Sequence, residues 1–300
     1  MLERERVVYL NGEILPESQA KISFRDLGFL HGDAVFDTTR TFDGKIFKLQ
    51  EHLDRLFKSL KYMRIDPGLT KETFFKATTQ IVEQNLEVLD RGGDYWVSQR
   101  ITRGVRGTGT PLTPTVLIEC TPLPLADRAH YFRDGLPVVV PSVRRTPPEA
   151  MSPRAKVHNY VNLELAELEV KAQNPDAWAI LLDMRGNIAE GPGSNFFMVK
   201  DDVVITPKEQ YILGGISRQT AMELAQELGI EVIEADIDLY DVYTADEAFV
   251  TSTSFCICPV SSINGSLMGA GVPGPVTDRL QKAYSGLVGM DFVEQYLAHQ

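Results

Sequence analysis

Asn11-Gly12 and Asp43-Gly44 each stand between runs of alternating apolar residues, and these two dipeptides constrain the opening of the chain more than any other feature. Both suit two-residue turns that need positive φ, so "RVVYLNGEIL" and "HGDAVFDTTRTFDGKIFKL" read as hairpins. The spacing then becomes helical in "LQEHLDRLFKSLKYM", where Leu49, Leu53, Leu56, Phe57 and Leu60 share one stripe, and again in "TKETFFKATTQIVEQNLEVL". "DYWVSQRITRG" and "TVLIECTPL" follow as strands. Farther on, "LPVVVPSV", "AWAILLDM", "NFFMVKD", "VVITP" and "EAFVTSTSFCICPV" read as short strands, with helices "ISRQTAMELAQELG" and "VTDRLQKAYSGLVG" among them. Single helices scattered among hairpin-connected strands predict an α+β fold in two domains, not a regular βαβ repeat. The proline-bearing "TPLPLADRAHYFRDG" at 121–135 breaks the periodicity and is the expected interdomain link.

Composition narrows the function. Over 300 residues, 43% hydrophobic and 24% charged content describe a soluble globular protein. A formal net charge of -11 argues against a nucleic-acid or anionic-membrane partner, though one basic pocket would still bind a small acid. No run approaches a membrane span, and "MLERERVVYL" lacks a signal-peptide core, so a cytoplasmic setting is expected. The odd cysteine count (Cys120, Cys256, Cys258) fits reduced thiols, and no histidine spacing suggests a metal site.

Four stretches could carry chemistry. In "RAKVHNYVNL", Lys156 is set among Val157, Tyr160, Val161 and Leu163, with Tyr160 one helical turn ahead if the segment is helical. Most lysines are solvated, but a desolvated amine can attack a carbonyl. In "NIAEGPGSNFFMV", Glu190 occupies a Gly/Pro/Ser-rich bend, where it is either an ordinary turn carboxylate or an acid beside the ring nitrogen of a flat ligand. "YILGGISRQTAMELAQELGI" leads two glycines into Ile216 and Ser217. Ser217 is a plausible N-cap, and the same turn could bind an anion. "VTSTSFCICPV" ends an apolar strand in hydroxyl residues, Thr253 among them, and Arg55 lies on the polar side of its helix, within possible reach of an anion.

Taken in order, "GFLHGDAVFDTTR", "EHLDRL", "AKVHNY", "IAEGPGSNFF", "LGGISRQ" and "TSTSFCICPV" resemble the class IV, fold-type IV enzymes that use pyridoxal 5′-phosphate (PLP). These include branched-chain and D-amino-acid aminotransferases, (R)-selective amine transaminases and aminodeoxychorismate lyases. The resemblance spans nearly the whole chain. It implies a small N-terminal α/β domain over residues 1–120, a larger β-rich domain over 136–300, and a homodimer. It also implies that Lys156 carries PLP covalently and serves as general acid and base, and that Glu190 pairs with the pyridine nitrogen. Arg55, Ile216, Ser217 and Thr253 would hold the phosphate, and Tyr160 would sit beside the 3′-oxygen.

The substrate pocket is expected to draw on His31, Phe36, Arg40, Tyr95, Arg103, Arg106 and Ser254. Branched-chain enzymes usually carry tyrosine where this chain has His31, and arginine at the place of Val97. Asp37 replaces a glutamate of their motif. His31, "ITRG" and the step from Lys156 to Tyr160 look more like the (R)-amine transaminases, so transfer from a primary amine or amino acid to a 2-oxo acid such as pyruvate, (R)-selective, is the leading expectation. A branched-chain L-amino-acid aminotransferase and a PLP lyase are the alternatives, with a catalytically silent binding protein behind them. In "TRGVRGTGTP", Arg103 and Arg106 could clamp a substrate carboxylate from a mobile loop, or simply stand exposed.

Overall fold

The computed structural model describes residues 5–107, 112–269 and 271–299, and every structural statement below concerns these residues. The chain divides into two compact units: residues 1–123 with 155–159, and residues 124–154 with 160–300.

The first unit is an antiparallel sheet backed by two helices. Its hairpins form where the turn dipeptides place them. β1 (Val7–Leu10) and β2 (Glu13–Pro16) are joined through Asn11 and Gly12 at φ 52° and 102°, and β3 (Ala34–Phe42) and β4 (Lys45–Ile46) through Asp43 and Gly44 at 49° and 73°. A short α1 (Leu27–His31) starts at Asp26, whose carboxylate accepts the Gly28 N–H at 2.7 Å. After α2 (Leu49–Met63) and α3 (Lys71–Asn85) come β5 (Tyr95–Thr102) and β6 (Val116–Pro122), giving the order β2-β1-β6-β5-β3-β4. The α2 stripe buries Leu49, Leu53, Leu56 and Leu60, and each burial stabilises the unit by about 2 kcal/mol. Phe57 meets Phe74 of α3 edge-on at 5.7 Å. Asn85 ties α3 to β1 by exchanging bonds with the Val7 backbone at 2.8 Å each way.

β4 covers only the far end of β3. The near end is paired by residues 155–159, which return from the other unit's sequence: Phe36 N–H donates to the Lys156 carbonyl and His158 N–H to the Ala34 carbonyl, both at 3.0 Å. Lys156 is therefore on an extended strip, not on a helix.

In the second unit, the stretch expected as a link is mostly α4 (Leu125–Asp134). Leu125, Ala129, Tyr131 and Phe132 bury one side of it, a pattern that the prolines at its start obscure in the sequence. Next come β7 (Leu136–Val139), α5 (Val161–Gln173), β8 (Trp178–Ala179), β9 (Glu190–Gly191), β10 (Ser194–Lys200) and β11 (Val203–Pro207). They are followed by α6 (Ile216–Glu227), β12 (Val232–Ala235), α7 (Leu239–Tyr243), β13 (Glu247–Ser252), β14 (Cys256–Ile263), β15 (Ser266–Leu267), α8 (Pro275–Val288) and α9 (Phe292–Leu297). The mixed sheet runs β12-β11-β10-β13-β14-β7-β8, with β9 on β10 and β15 on β14. Its centre is fully buried, as the near-continuous apolar runs of β10 and β13 require, with Phe197 stacked on Phe249 at 4.7 Å. The Glu247 carboxylate accepts from Val276 N–H at 2.8 Å and from Thr277 N–H and hydroxyl at 2.9 and 2.7 Å, which satisfies the first turn of α8. The architecture is α+β. No helix among the described residues is long and apolar enough to cross a membrane.

Candidate active site

In the first unit, backbone pairing of the 155–159 strip to β3 fixes where the Lys156 side chain can go. Its Nζ lies 4.5 Å from the centre of the Phe36 ring. The His158 ring meets Phe36 edge-on at 5.2 Å, and its pKa is pushed down to about 4, by burial first and by the Arg100 charge second. His158 is thus a neutral imidazole beside the amine at ordinary pH. The Lys156 N–H donates to the Ser59 hydroxyl at 3.0 Å, and that hydroxyl donates to the Arg55 carbonyl at 3.1 Å. Ser59 so links the amine's backbone to the helix that carries Arg55.

Arg55 is held by Asp37. Nε and Nη2 of Arg55 donate to the two Asp37 oxygens at 2.8 Å each, and His52 Nδ1 lies 2.7 Å from the same carboxylate. Asp37 is fully buried. Burial alone would raise its pKa, but the charges of Arg55 and His52 and their hydrogen bonds outweigh it and hold the carboxyl well below its usual range. His52 is pushed down, by burial against the opposing pull of Asp37, with Arg55 and Lys156 adding to the depression. A fixed guanidinium with 11% of its side chain exposed is what an anion such as a phosphate requires. Neither Asp37's inward partners nor Ser59 is visible in the sequence, because β3 meets α2 only after folding.

In the second unit, three strands place a row of polar side chains. Asn195 of β10 pairs in register with Glu190 of β9 and with Thr251 of β13, so all three side chains leave the same sheet face. Glu190 is 4% exposed. One oxygen accepts from Arg145 Nε and the other from the Leu213 N–H, each at 2.8 Å. Asn195 donates to the Leu213 carbonyl at 2.9 Å. That peptide leads into Gly214 and Gly215. A Cβ on Gly215 would stand 2.1 Å from Asn195 Oδ1, so only glycine allows this approach. Gly215, not Ser217, is the N-cap of α6, and Ile216 and Ser217 are its first two residues, their N–H groups lacking a carbonyl one turn back. The Thr251 hydroxyl is buried with no hydrogen-bond partner among the described residues. Thr253 and Ser254 follow in the turn to β14. Ser254 is buried, its hydroxyl accepting from Arg128 and its carbonyl from the Tyr296 hydroxyl at 2.8 Å. Tyr160 caps α5 and packs with Leu163, Ala166 and Val170. With 156–159 extended, it does not share a helical face with Lys156.

Five of the expected pocket residues are placed as follows. Arg40 is 1% exposed, lies over Phe42 at 4.0 Å, donates to the Thr41 carbonyl at 3.0 Å and sits 3.6 Å from Asp94. Tyr95 is fully buried against α3. Its hydroxyl donates to the Asn85 carbonyl at 2.9 Å, and burial pushes its pKa up to about 12. Both are core residues. Arg103 is spent on Asp33, at 2.5 and 3.0 Å, and on the Met63 and Arg64 carbonyls, so it is no mobile clamp. Arg106 stands exposed, and the loop's residues 108–111 lie outside those described. His31 is the exposed last residue of α1. Phe36 adjoins Lys156. The residues that sequence reasoning missed are Arg145, Asn195, Ser59 and Asp37's partner His52.

A flat pyridine bearing a phosphate asks for an amine, a buried acid, and N–H and hydroxyl donors with a guanidinium. These donor types are all present, and the unpartnered Thr251 hydroxyl marks room for a ligand. Comparison with known proteins gives the same indication. The family described as amino-transferase class IV matches residues 34–263. The branched-chain-amino-acid aminotransferase of Pseudomonas aeruginosa is 34% identical over 96% of this chain and 94% of its own. A D-alanine aminotransferase of Bacillus licheniformis is 29% identical over 92% and 95%. A solved branched-chain amino acid aminotransferase from T.th., complexed with N-(5'-phosphopyridoxyl)-L-glutamate, superposes with a TM-score of 0.85 at 30% identity over 95% of each chain.

Proposed function

Because the chain belongs to the class IV aminotransferases, which are PLP-dependent and share the fold-type IV architecture, we propose that it transfers the amino group of a branched-chain L-amino acid to a 2-oxo acid. The observation that carries this reading is full-length similarity to enzymes with that named activity, in sequence and in fold. It displaces the (R)-selective amine reading as the first choice.

Bound PLP supplies an electron sink for the bond broken at the substrate α-carbon. Lys156 anchors the cofactor covalently, and its Nζ takes the α-proton and later returns one. Phe36 and His158 fix the position of that amine and keep water from it. Glu190, oriented by Arg145 and the Leu213 N–H, holds the proton of the ring nitrogen in place. For the phosphate, the first unit offers the Arg55 guanidinium, which Asp37 keeps in one orientation, and the second unit offers Thr253 and the Ile216 and Ser217 N–H groups. Tyr160 would be the residue beside the cofactor's ring oxygen. Val161, Leu165 and Leu168 leave an apolar stripe exposed on α5, which supports a homodimer.

Two measurements test the reading. Borohydride reduction followed by peptide mapping should place a pyridoxyl mass on Lys156 and nowhere else. Half-reactions followed by near-visible absorbance should show L-leucine bleaching the cofactor band faster than D-alanine or either enantiomer of 1-phenylethylamine. Faster bleaching by D-alanine or the (R)-amine would install the second reading, which the D-alanine aminotransferase relative favours.

A further inference from the structure

Arg145 does more than face Glu190. It also lines a cavity of about 320 Å³ within the second unit, at the small end of the roughly 300–1,000 Å³ that small-molecule sites span. Glu190, Asn195 and Thr251 are not among the lining residues, so this cavity is separate from that polar row. Arg145 gives Nε to the acid at 2.8 Å, while neither terminal amino group makes a hydrogen bond among the described residues. Its side chain is 12% exposed, so most donors of a largely buried guanidinium are still open. The other cation of the walls, Arg185, is already occupied. It donates to Asp183 at 3.2 and 3.0 Å and to Asp236 at 2.9 Å, and it lies 4.4 Å over the Tyr211 ring. Glu149 is the converse of Arg145, a lining carboxylate with no hydrogen bond or ion pair among the described residues. Pro147, Pro148, Met184 and the Tyr211 ring supply the apolar part of the lining.

These walls are held in place by the chain itself. The Arg145 N–H donates to the Leu182 carbonyl at 2.9 Å and the Thr146 N–H to Asn162 Oδ1 at 3.0 Å. Asp183 accepts the Arg185 and Asn187 N–H groups at 2.8 and 2.9 Å. A ligand would therefore have little backbone to order.

The charges select the ligand. Glu190 balances Arg145, and Asp183 and Asp236 balance Arg185, which leaves Glu149 in surplus. A simple anion would answer the Arg145 fork but meet Glu149 uncompensated. A simple cation would answer Glu149 and leave the fork open. A zwitterion with an apolar body answers both and covers the prolines, Met184 and Tyr211. We infer that the cavity is a second amino-acid site, which takes a free α-amino acid with an apolar side chain, its carboxylate on the Arg145 terminal amino groups and its ammonium on Glu149. No bond is made or broken there, and neither Lys156 nor the preferred amino donor enters the argument.

The test is calorimetric titration of the borohydride-reduced holoenzyme with 1-aminocyclopentane-1-carboxylate, an apolar amino acid that has no α-hydrogen to lose. Glu149→Gln should weaken binding about tenfold. Arg145→Lys, which keeps a charge for Glu190 but loses the fork, should weaken it at least as much. Met184→Glu, which adds a second uncompensated carboxylate, should weaken it as well. Cyclopentanecarboxylate and cyclopentylamine, each with only one of the two charges, should bind about tenfold more weakly than the amino acid, or worse. The inference is overturned by an absence of binding up to about 10 mM, by an affinity that Glu149→Gln leaves unchanged, or by cyclopentanecarboxylate binding as tightly as the amino acid. Glu149 is exposed, so its variant removes no core contact, and its result stands even where Arg145→Lys folds poorly. A pyridoxyl mass missing from Lys156 would defeat the proposed function and leave this binding comparison intact.

Discussion

Asp37→Asn isolates the buried ion pair behind the anion-binding arginine. The carboxylate is fully buried and accepts four hydrogen bonds: two from Arg55 at 2.8 Å, one from His52 at 2.7 Å and one from the Thr38 N–H at 2.8 Å. Asparagine keeps the shape but offers one acceptor oxygen, and it turns an N–H₂ group toward donors. Removing one partner of such a pair costs about 3–5 kcal/mol, and the 11% exposure of Arg55 sets the expectation at the lower end, about 3 kcal/mol. With a urea dependence of about 2–3 kcal/mol per molar, the midpoint should fall by about 1 M. Trp96, in the same unit, reports the transition by fluorescence. Glu72→Gln, which breaks the exposed Lys76 pair, should leave the midpoint unmoved. The pH dependence has a definite sign. A carboxyl held below its usual 3.8 contributes stability that is present above that value and lost as pH falls through the folded-state value. The gap between wild type and variant should therefore be constant near neutrality and narrow below about pH 4. A midpoint shift under about 0.2 M at neutral pH, or a gap that grows toward acid, would refute the reasoning.

Three further outcomes follow from particular contacts. The His158 ring should titrate near 4 by NMR; Arg100→Gln should raise that midpoint without restoring 6.5, since burial is the larger cause, and a wild-type midpoint above 6 contradicts the packing around Phe36. Gly215→Ala forces a methyl against Asn195, so it should cost about 1–3 kcal/mol and loosen the cofactor, read as faster loss of the absorbance band on dialysis; unchanged retention would mean that the turn can relax. Glu247→Gln leaves one α8 donor facing an amide, and a loss of about 1–2 kcal/mol in thermal melts is expected; an unaltered melt would show that this cap is dispensable.

The turn dipeptides and the α2 stripe were legible because each is a local rule acting on contiguous residues, and the hairpins and helix form there. Lys156, Glu190 and the glycine turn before Ile216 stand out in the sequence through short motifs of fixed spacing, and the roles those motifs suggest are part of the proposed function. What stayed hidden depends on side-chain direction along a strand. Tyr95 and Val97 alternate with Trp96, Ser98 and Arg100, so the first pair enters the core and the others leave it, a choice that only sheet packing decides. Arg40 and Arg103 look like free guanidinium groups until Asp94 and Asp33 arrive from elsewhere in the chain. Arg145 lies 45 positions from Glu190, and nothing local joins them.

The five residues that carry the amine also complete an unfinished sheet. Without 155–159, the first half of β3 would present a row of open backbone donors and acceptors, the kind of border that recruits foreign strands and seeds aggregation. A fragment ending at residue 123 would therefore be sticky as well as lacking its reactive lysine, and a short peptide copied from 155–159 would be its natural plug. Solubility and chemistry are written into the same few residues, so pressure on either one guards the other.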